Sequence, residues 1–357
     1  MPLVNGITSE QGRPEVLSEI LDRLTTIIRH IKVQSGSANA AAVGSLVSNG
    51  FWPVARQCLQ WHPNDSKVVE KSCRLMKHSM RCVPDHFKPL VPAVATTLVA
   101  SFQTMHFSSY LYSADIIADT YYNDPEVVPV LKSLFHQLST AALQCFDGAR
   151  DRLETITELV EDFYLMIERY LRHVPMIVID APTLLPTLQL WLDVIFVQQK
   201  EALGAVIAFI LAVFEPIGDA NKPARMHRWH GGCNAQHGPL LRPHALQVAP
   251  GLVIAIFKLI AQVPTRYMQE NMHDVLEAIR AAFPQEFPSW LEAGLQQIPP
   301  SAASQAEKMK LGEQLLRGDN GTVYEAVQQI CYRCEQVALR DRGNQDSTTG
   351  GATKGKR

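Results

Sequence analysis

The chain has 357 residues, 46% of them hydrophobic and 19% charged, so it can bury a large core and is not a disordered protein. The net charge of −2 argues against a general nucleic-acid binder and confines any recognition of anions to a local surface. Seven cysteines in a chain without a signal peptide indicate free thiols in a reducing compartment. The longest apolar run, residues 202–214, is too short to cross a bilayer, so we expect a soluble intracellular protein.

Hydrophobic periodicity predicts helices along almost the whole chain, and no segment alternates as a strand does. Proline marks many of the gaps, as at Pro84, Pro175 and Pro264. Helices of about 15–22 residues joined by short turns are typical of an α-α superhelix, a HEAT- or armadillo-like solenoid. The predicted helices span residues 14–33, 52–61, 66–83, 86–104, 106–122, 125–146, 150–173, 182–198, 200–215, 240–263, 267–283, 287–297, 301–317 and 321–340.

The pattern predicts three regions along the chain. Residues 1–50 hold one helix, and the small-residue segment 34–50 is expected to be a loop or the loose edge of the first repeat. Residues 51–340 form helical repeats, interrupted at 217–239 by a loop insertion rich in glycine and polar residues. Residues 341–357 carry no apolar periodicity and are expected to be a disordered tail.

The helix predicted at residues 66–83 separates into two faces. Its apolar stripe consists of Val69, Cys73, Met76, Met80 and Val83. The opposite face, which we name the basic stripe, consists of Lys67, Lys71, Arg74, Lys77 and Arg81. Only Glu70 is a nearby anion in sequence, so these cations repel one another. Periodicity alone leaves two interpretations open, a solvated surface or a site for an anionic partner that carries phosphates.

An internal similarity supports the repeat interpretation. Val83-Pro84 and Val174-Pro175 stand 91 residues apart, about twice the period of HEAT-type helix pairs, and an apolar helix follows each. A related start occurs at 127–129. Proline in the first turn costs no hydrogen bond, which suits a recurrent helix start, although chance matches are possible in a chain with 22 prolines.

Two groups of residues could bind metal or perform thiol chemistry. The segment 227–244 contains His227, His230, Cys233, His237 and His244, all potential zinc ligands, but their spacing matches no common zinc signature and we favour a solvated polar loop. Cys331 and Cys334 form a CxxC inside a predicted helix and not before one in a βαβ setting, so we expect packing thiols.

Catalytic signatures are missing from the sequence. It contains no GxSxG, no GxxxxGK[ST], no HExxH and no GxGxxG after a strand, so we expect no enzyme and no cofactor. Acidic groups recur at helical spacing, which is typical of solvated faces or of contacts with basic partners. These groups are Asp115 with Asp119, and Glu158 with Glu161 and Asp162.

Several segments, taken in order, resemble one known family. Phe51-Trp52-Pro53-Val54 opens the helix before the basic one, and residues 67–83 look like an arginine-rich helix of that family, with cations in register at the five positions of the basic stripe. Residues 109–112, 116–121 and 287–292 and the last helix with its CxxC are similar too. The resemblance, with gaps over about residues 50–340, is to the C-terminal part of the transportin-SR (transportin-3)/importin-13 branch of the importin-β family.

This resemblance implies a HEAT-repeat nuclear import receptor that shuttles between cytoplasm and nucleus, contacts nucleoporins and releases cargo to Ran-GTP. In the family the arginine-rich helix binds phosphorylated Arg/Ser-rich domains of splicing factors. Carried over residue by residue, the cargo contacts would be Lys67, Lys71, Arg74, Lys77 and Arg81.

The chain departs from the family in two respects. Three of the five positions hold lysine, which cannot make the bidentate fork that arginine makes with phosphate, so we expect weaker or less selective phosphate binding. The chain has room for about seven or eight repeats, so the family's N-terminal Ran-binding arch is expected to be absent. We then expect cargo binding to survive and Ran-dependent release to be lost. Two alternatives stay open: a HEAT scaffold without a transport role, and a metal- or thiol-dependent enzyme using 227–244 and the CxxC.

Overall fold

In a computed structural model, residues 12–218, 235–262, 266–318 and 320–349 are described. Within these ranges every regular element is helical and no strand occurs, so the predicted all-α fold class is confirmed. The α-helices, in chain order, are α1 (Pro14–His30), α2 (Ala38–Leu46), α3 (Trp52–Trp61), α4 (Ser66–Cys82), α5 (Pro84–Phe87), α6 (Val91–Thr104), α7 (Ser108–Tyr121), α8 (Val128–Asp147), α9 (Thr157–His173), α10 (Pro175–Ile179), α11 (Leu184–Val194), α12 (Lys200–Gly218), α13 (Gly238–Ala261), α14 (Arg266–Ala282), α15 (Phe287–Leu295), α16 (Gln305–Arg317) and α17 (Asn320–Thr349).

The chain forms two compact units, Met1–Leu184 and Leu185–Arg357. In the first unit α1, α4, α7 and α9 pack side by side in one layer, and α6 and α8 pack together in a second. Helices of the first layer run parallel. Near the start of α4, His62 Nε2 lies 3.0 Å from the carbonyl of Gly12 before α1, and at the other end the Cys82 thiol donates to the carbonyl of Ile31. Contact between helices that are not consecutive in the chain is the pattern of stacked helical repeats.

The second unit repeats the two-layer pattern. Helices α12, α14 and α17 pack in one layer, and α13, α15 and α16 in the other. Helices α12 and α13 are long and apolar enough to cross a membrane by length and composition alone. However, 67% of the apolar window of α12 and 56% of that of α13 is buried within the unit, as expected of core helices in a helical-repeat protein.

The internal similarity seen in sequence is confirmed in three dimensions. Helices α4 and α9 have the same length, begin and end 91 residues apart, and stop at a valine with nearly the same backbone angles, φ −136°, ψ 65° at Val83 and φ −137°, ψ 58° at Val174. The next residue is in each case a proline, Pro84 or Pro175, that begins a short helix. Equivalent positions are buried in both helices, namely Val69 and Val160, Met76 and Ile167, and Met80 and Leu171. Helices α4 and α9 are therefore corresponding members of two repeats.

The structure corrects the predicted start of the chain, which holds more than one helix. The segment 34–50, predicted as a loop, forms α2 and then a π-helical turn at Val47–Phe51. The Ser37 side chain caps α2 by accepting from the amide of Ala40, and the alanine-rich run that follows favours helix strongly. Small residues at 38–44 therefore mark a close helix packing and not a loop.

Helix α17 continues to Thr349, into the segment 341–357 that the sequence predicts to be a tail. Apolar periodicity reports burial and not helicity, and a helix already nucleated by its buried turns gains one backbone hydrogen bond for each added residue. The predicted loop at 217–239 is slightly too long, since α12 includes Gly218 and α13 begins at Gly238. Residues 219–234 lie outside the described ranges.

Candidate functional site

Helix α4 is built to present a narrow polar face. Asp65 caps its start by accepting from the amides of Lys67 and Val68 at 3.0 and 2.9 Å. The predicted apolar stripe is confirmed, since Val69, Cys73, Met76, Met80 and Val83 are all at most 3% exposed. Contacts with α1 on one side and α7 on the other leave the basic stripe, together with Glu70 and His78, facing outward.

The basic stripe lines a groove of about 1250 Å³ formed by α1, α4, α9 and the first turn of α7, which we name the α4 groove. Lys71, Arg74, Lys77 and Arg81 line it, so the structure brings four of the five predicted residues together. Lys67 lies apart, exposed in the first turn of α4 beside Pro14 and Glu15.

Neighbouring anions partly neutralise these cations. Lys71 Nζ lies 2.6 Å from Asp22 Oδ1 on α1, and Arg74 lies 3.1 Å from Glu70 on its own helix. Arg81 lies 3.7 Å from Asp119 on α7. The sequence showed only Glu70, because the other two anions come from helices distant in the chain. Ion pairs this exposed contribute about 0–1 kcal/mol each, so an incoming anion can replace them at little cost.

Lys77 is held by an aromatic side chain and not by an anion. Its ammonium group donates to the hydroxyl of Tyr112 and lies 4.8 Å from the centre of that ring. A lysine over an aromatic face keeps its charge and loses rotamer freedom before any ligand arrives. Tyr112 is therefore a positioning residue for the groove.

Two further groups in the groove were missed from the sequence. Arg29 of α1 lines the groove, and only the packing of α1 against α4 could have revealed it. His78 of α4 lines it too, and its position between Lys77 and Arg81 was a signal that periodicity alone did not use. Burial, and then the positive charges of Lys77, Arg29, Arg81 and Arg74, lower the pKa of His78. The part of this lowering that comes from the four cations reflects a locally positive potential.

The opposite wall of the groove is negative. Glu158, Glu161 and Asp162 of α9 line it, and Asp162 accepts a hydrogen bond from the side chain of Ser108 at the start of α7. Burial, followed by the charges of Glu161, Asp115 and Glu158, raises the pKa of Asp162 to about 7. The α4 groove thus has a cationic wall on α4 with Arg29, and an anionic wall on α9.

Beyond the groove, an ion-pair cluster fastens α7 to α9. Arg169 donates from Nε to Asp115 at 2.8 Å and from a terminal nitrogen to Asp119 at 3.0 Å. Burial raises the pKa of Asp115 to about 6 although Arg169 opposes the shift. Of the two interpretations that the sequence left open for these aspartates, a solvated face or contacts with basic groups, the structure shows contacts, and the basic group is Arg169 of this chain.

The structure describes both cysteines of the CxxC but only part of the His/Cys segment 227–244. Cys331 and Cys334 are buried, and burial raises the pKa of the Cys331 thiol to about 12, as expected of packing thiols and not of a nucleophile. Among the described residues no group of three His, Cys, Asp or Glu side chains could hold a metal ion. His227, His230 and Cys233 lie outside the described ranges, so the zinc alternative stays untested.

Comparisons with known proteins agree with the resemblance seen in sequence. Residues 44–146, which include α4, match the family model described as the Transportin-3/Importin-13 fourth TPR domain. The chain is 20% identical to Transportin MOS14 of Arabidopsis thaliana over 84% of this chain and 29% of that protein. It is 20% identical to Importin-13 of Homo sapiens over 76% of this chain and 26% of that protein. These matches support the importin-β family and its transportin-3/importin-13 branch.

A solved structure supports the fold. The structure titled "Importin13 cytosolic state" aligns with a TM-score of 0.73 at 13% identity, over 90% of this chain and 35% of that one. The predicted helical-repeat solenoid is therefore confirmed as the fold class. The chain spans less than a third of the length of the two curated relatives.

Proposed function

We propose that this chain is the cargo-binding part of a karyopherin-type nuclear import receptor and that the α4 groove binds acidic or phosphorylated segments of its cargo. The observation that carries the proposal is the groove itself, in which four cations of the basic stripe and Arg29 line one recess. The match of residues 44–146 to a transportin-3/importin-13 domain supports it, because this domain contains the whole basic stripe.

The groove suits phosphate for three physical reasons. Its cations come from two helices, so they surround a ligand and do not merely face it. Their present ion pairs are weak and exchangeable, and Lys77 is positioned in advance by Tyr112. Charge-assisted hydrogen bonds to phosphate are among the strongest contacts that side chains make. Arg74 and Arg81 can each form a bidentate contact, whereas Lys71 and Lys77 act as point charges.

The finer parts of the proposal follow from the family. We assign phosphorylated Arg/Ser-rich splicing factors as the cargo class, with shuttling between cytoplasm and nucleus and contacts to nucleoporins. Ran-GTP binding belongs to the proposal for the whole receptor and not to the α4 groove. The role is one of binding, without catalysis.

A second candidate is a helical-repeat scaffold with no transport role. The pairing of Lys71 with Asp22 and of Arg81 with Asp119 favours it, because these pairs would then serve only to fasten α4 to its neighbours. The two candidates differ in whether the groove binds a phosphopeptide.

The deciding experiment measures binding of a fluorescent phosphorylated Arg/Ser peptide by anisotropy. We expect micromolar or tighter affinity for the chain as it stands, and a loss of at least about a hundredfold for the double variant Lys71→Glu/Arg74→Glu, since two attractive contacts become repulsive. The unphosphorylated peptide should bind much more weakly.

A matched control is Arg56→Glu/Lys132→Glu, which makes the same charge change at two exposed positions of the first unit. It should bind as the unaltered chain does. Circular dichroism of both variants shows whether the loss of the Lys71–Asp22 pair has unfolded the unit. Equal binding by the unaltered chain and by a folded Lys71→Glu/Arg74→Glu variant would contradict the proposal.

A further inference from the structure

Three helices in one layer of the first unit correspond to one another residue by residue. Helices α1, α4 and α9 are each 17 residues long; α1 and α4 begin and end 52 residues apart, and α4 and α9 begin and end 91 residues apart. Their buried positions correspond as well, for example at Leu17, Val69 and Val160. Any position of α1 can therefore be compared with the same position of α4 and of α9.

One side of α4 and of α9 packs against the helix that precedes it in the layer. Lys71 of α4 binds Asp22 of α1, and the equivalent residue of α9, Asp162, binds the Ser108 side chain of α7. Buried side chains at helical spacing lie beside these two residues. They are Val68, Ser72 and Ser79 in α4 and Leu159, Phe163 and Tyr170 in α9, none of them more than 4% exposed. We name this side of each helix the stacking face.

The stacking face of α1 is apolar although no described helix covers it. Its residues at the equivalent positions are Val16, Ile20 and Ile27. Val16 and Ile27 are 43% and 52% exposed, and Ile20 is half-buried. A helix side that normally meets solvent carries polar residues, and an exposed apolar face in a terminal repeat marks a surface for association.

The last described helix exposes a second apolar face. Helix α17 packs against α14 in its layer, and no later helix follows it in the described part of the chain. Tyr332 and Leu339, which lie two turns apart on one face of α17, are 61% and 52% exposed. Met309 and Leu316 of α16 have the same spacing and are exposed too. The first and the last described helix thus each present an apolar face without a partner.

We propose that the stacking face of α1 binds the exposed face of α17 in a second copy of this chain. The corresponding faces of α4 and α9 are covered by a helix of the same layer type, so the interface already present inside the first unit sets the kind of occupant that α1 accepts. Helix α17 is such a helix, and its free face is apolar. Two different faces meet in this contact, so the association is heterologous and can continue from molecule to molecule.

The association is measured as the average mass of the protein in solution by sedimentation over a range of concentrations. We expect the mass of the unaltered chain to rise at concentrations on the order of tens of micromolar, because an interface of a few apolar side chains is small. The variant Val16→Asp/Ile27→Asp should stay monomeric throughout, since the contact would bury two unpaired charges. The variant Tyr332→Asp/Leu339→Asp should stay monomeric for the same reason.

A mixture of these two variants tests the direction of the contact. The first variant keeps the face of α17 intact and the second keeps the stacking face of α1 intact. We therefore expect the mixture to form a complex of one molecule of each, although neither variant associates alone. The complex should not grow further, because its remaining faces carry the introduced charges.

A matched control, Met176→Asp/Leu246→Asp, makes the same kind of change at exposed apolar residues on neither face and should associate as the unaltered chain does. Circular dichroism checks that every variant is folded. An unaltered chain that stays monomeric at all concentrations would overturn the proposal and leave the stacking face to a helix of another protein. A mixture that forms no complex would overturn it as well. Phosphopeptide binding should be unchanged in all these variants, because none of the altered residues lines the α4 groove, so the outcome is independent of the proposed function.

Discussion

At the scale of single residues, Asp162 holds a carboxyl group where its charge is disfavoured. Burial and three neighbouring acids raise its pKa from 3.8 to about 7, and the hydrogen bond from Ser108 only partly offsets them. A carboxyl group kept in such a place lowers stability at neutral pH. Groups with this property are enriched at binding sites, where a ligand supplies the missing counter-charge.

Replacing Asp162 by asparagine should stabilise the first unit in a pH-dependent way. Because the folded-state pKa of this acid lies above its unfolded value, its contribution to stability is fully present below about pH 4 and is lost as pH rises towards 7. The Asp162→Asn variant escapes that loss, so we expect it to be about 1–2 kcal/mol more stable at pH 8 and no more stable at pH 4. Denaturant unfolding at both pH values measures the difference. If the free energy of unfolding of Asp162→Asn differs from that of the unaltered chain by the same amount at both pH values, the charge of Asp162 is not responsible.

The sequence predicted the site residues only in part, and the reason is geometric. Helical spacing placed Lys71, Arg74, Lys77 and Arg81 on one face of α4 because the period of a helix is fixed. It could not bring in Arg29, Asp22 or Tyr112, since these side chains reach the groove through packing between helices. Nor could it separate Lys67 from the others, because the packing of α1 against α4 decides which recess each side chain lines, and Lys67 lines one beside Pro14 and Glu15.

At the scale of elements, the turn after α4 and the turn after α9 are the most predictable feature. Proline in the first turn of α5 and of α10 fixes a helix start, and the valine before it adopts a non-helical conformation. The sequence does not predict α2, because its small residues are typical of a loop, whereas in the structure they allow two helices to approach closely. A Cβ atom at Gly44 would lie 2.5 Å from His86 of α5.

A second close approach predicts a destabilising substitution in the other unit. A Cβ atom at Gly294 of α15 would lie 2.5 Å from Cδ2 of Phe257, which is fully buried on α13 and has no room to swing away. We therefore expect Gly294→Ala to cost about 1–3 kcal/mol, measured by the midpoint of thermal unfolding.

The matched control for Gly294→Ala is Gly148→Ala, where the nearest atom would be a carbonyl oxygen at 3.6 Å and φ is −75°. That variant should unfold within a degree or two of the unaltered chain. Peptide binding should survive in both variants, because neither glycine lines the groove. A Gly294→Ala variant as stable as Gly148→Ala would mean that α13 and α15 adjust their spacing freely.

At the scale of the whole molecule, the net charge of −2 gives an anionic peptide no long-range attraction. All attraction must come from the α4 groove at short range. Since the Debye length falls from about 10 Å at 0.1 M salt to about 3 Å at 1 M, raising the salt should weaken phosphopeptide binding steeply. We expect at least a tenfold loss of affinity between about 0.05 and 0.5 M salt, measured by titration at several concentrations. Affinity that is independent of salt would point to an apolar site elsewhere.

The fold class was predictable at this scale because apolar residues at helical spacing, and prolines between the helices, recur along the chain. The function was not derivable from periodicity, since a solvated helix face and a phosphate site share the same pattern of lysine and arginine. The resemblance to the transportin-3/importin-13 branch and the groove that encloses the cations both favour the phosphate site. Identity of about 20% preserves the helical framework and leaves the cargo undefined.

The most direct test of the central claim is to locate the bound peptide. An alternating phosphoserine-arginine peptide with a photoreactive residue at its centre can be cross-linked to the chain and the attachment sites mapped by mass spectrometry. We expect cross-links to α4 and to the first turn of α7, at groove residues such as His78, Ser109 and Tyr112, and their loss in the Lys71→Glu/Arg74→Glu variant. Cross-links confined to other surfaces, unchanged by that variant, would contradict the account.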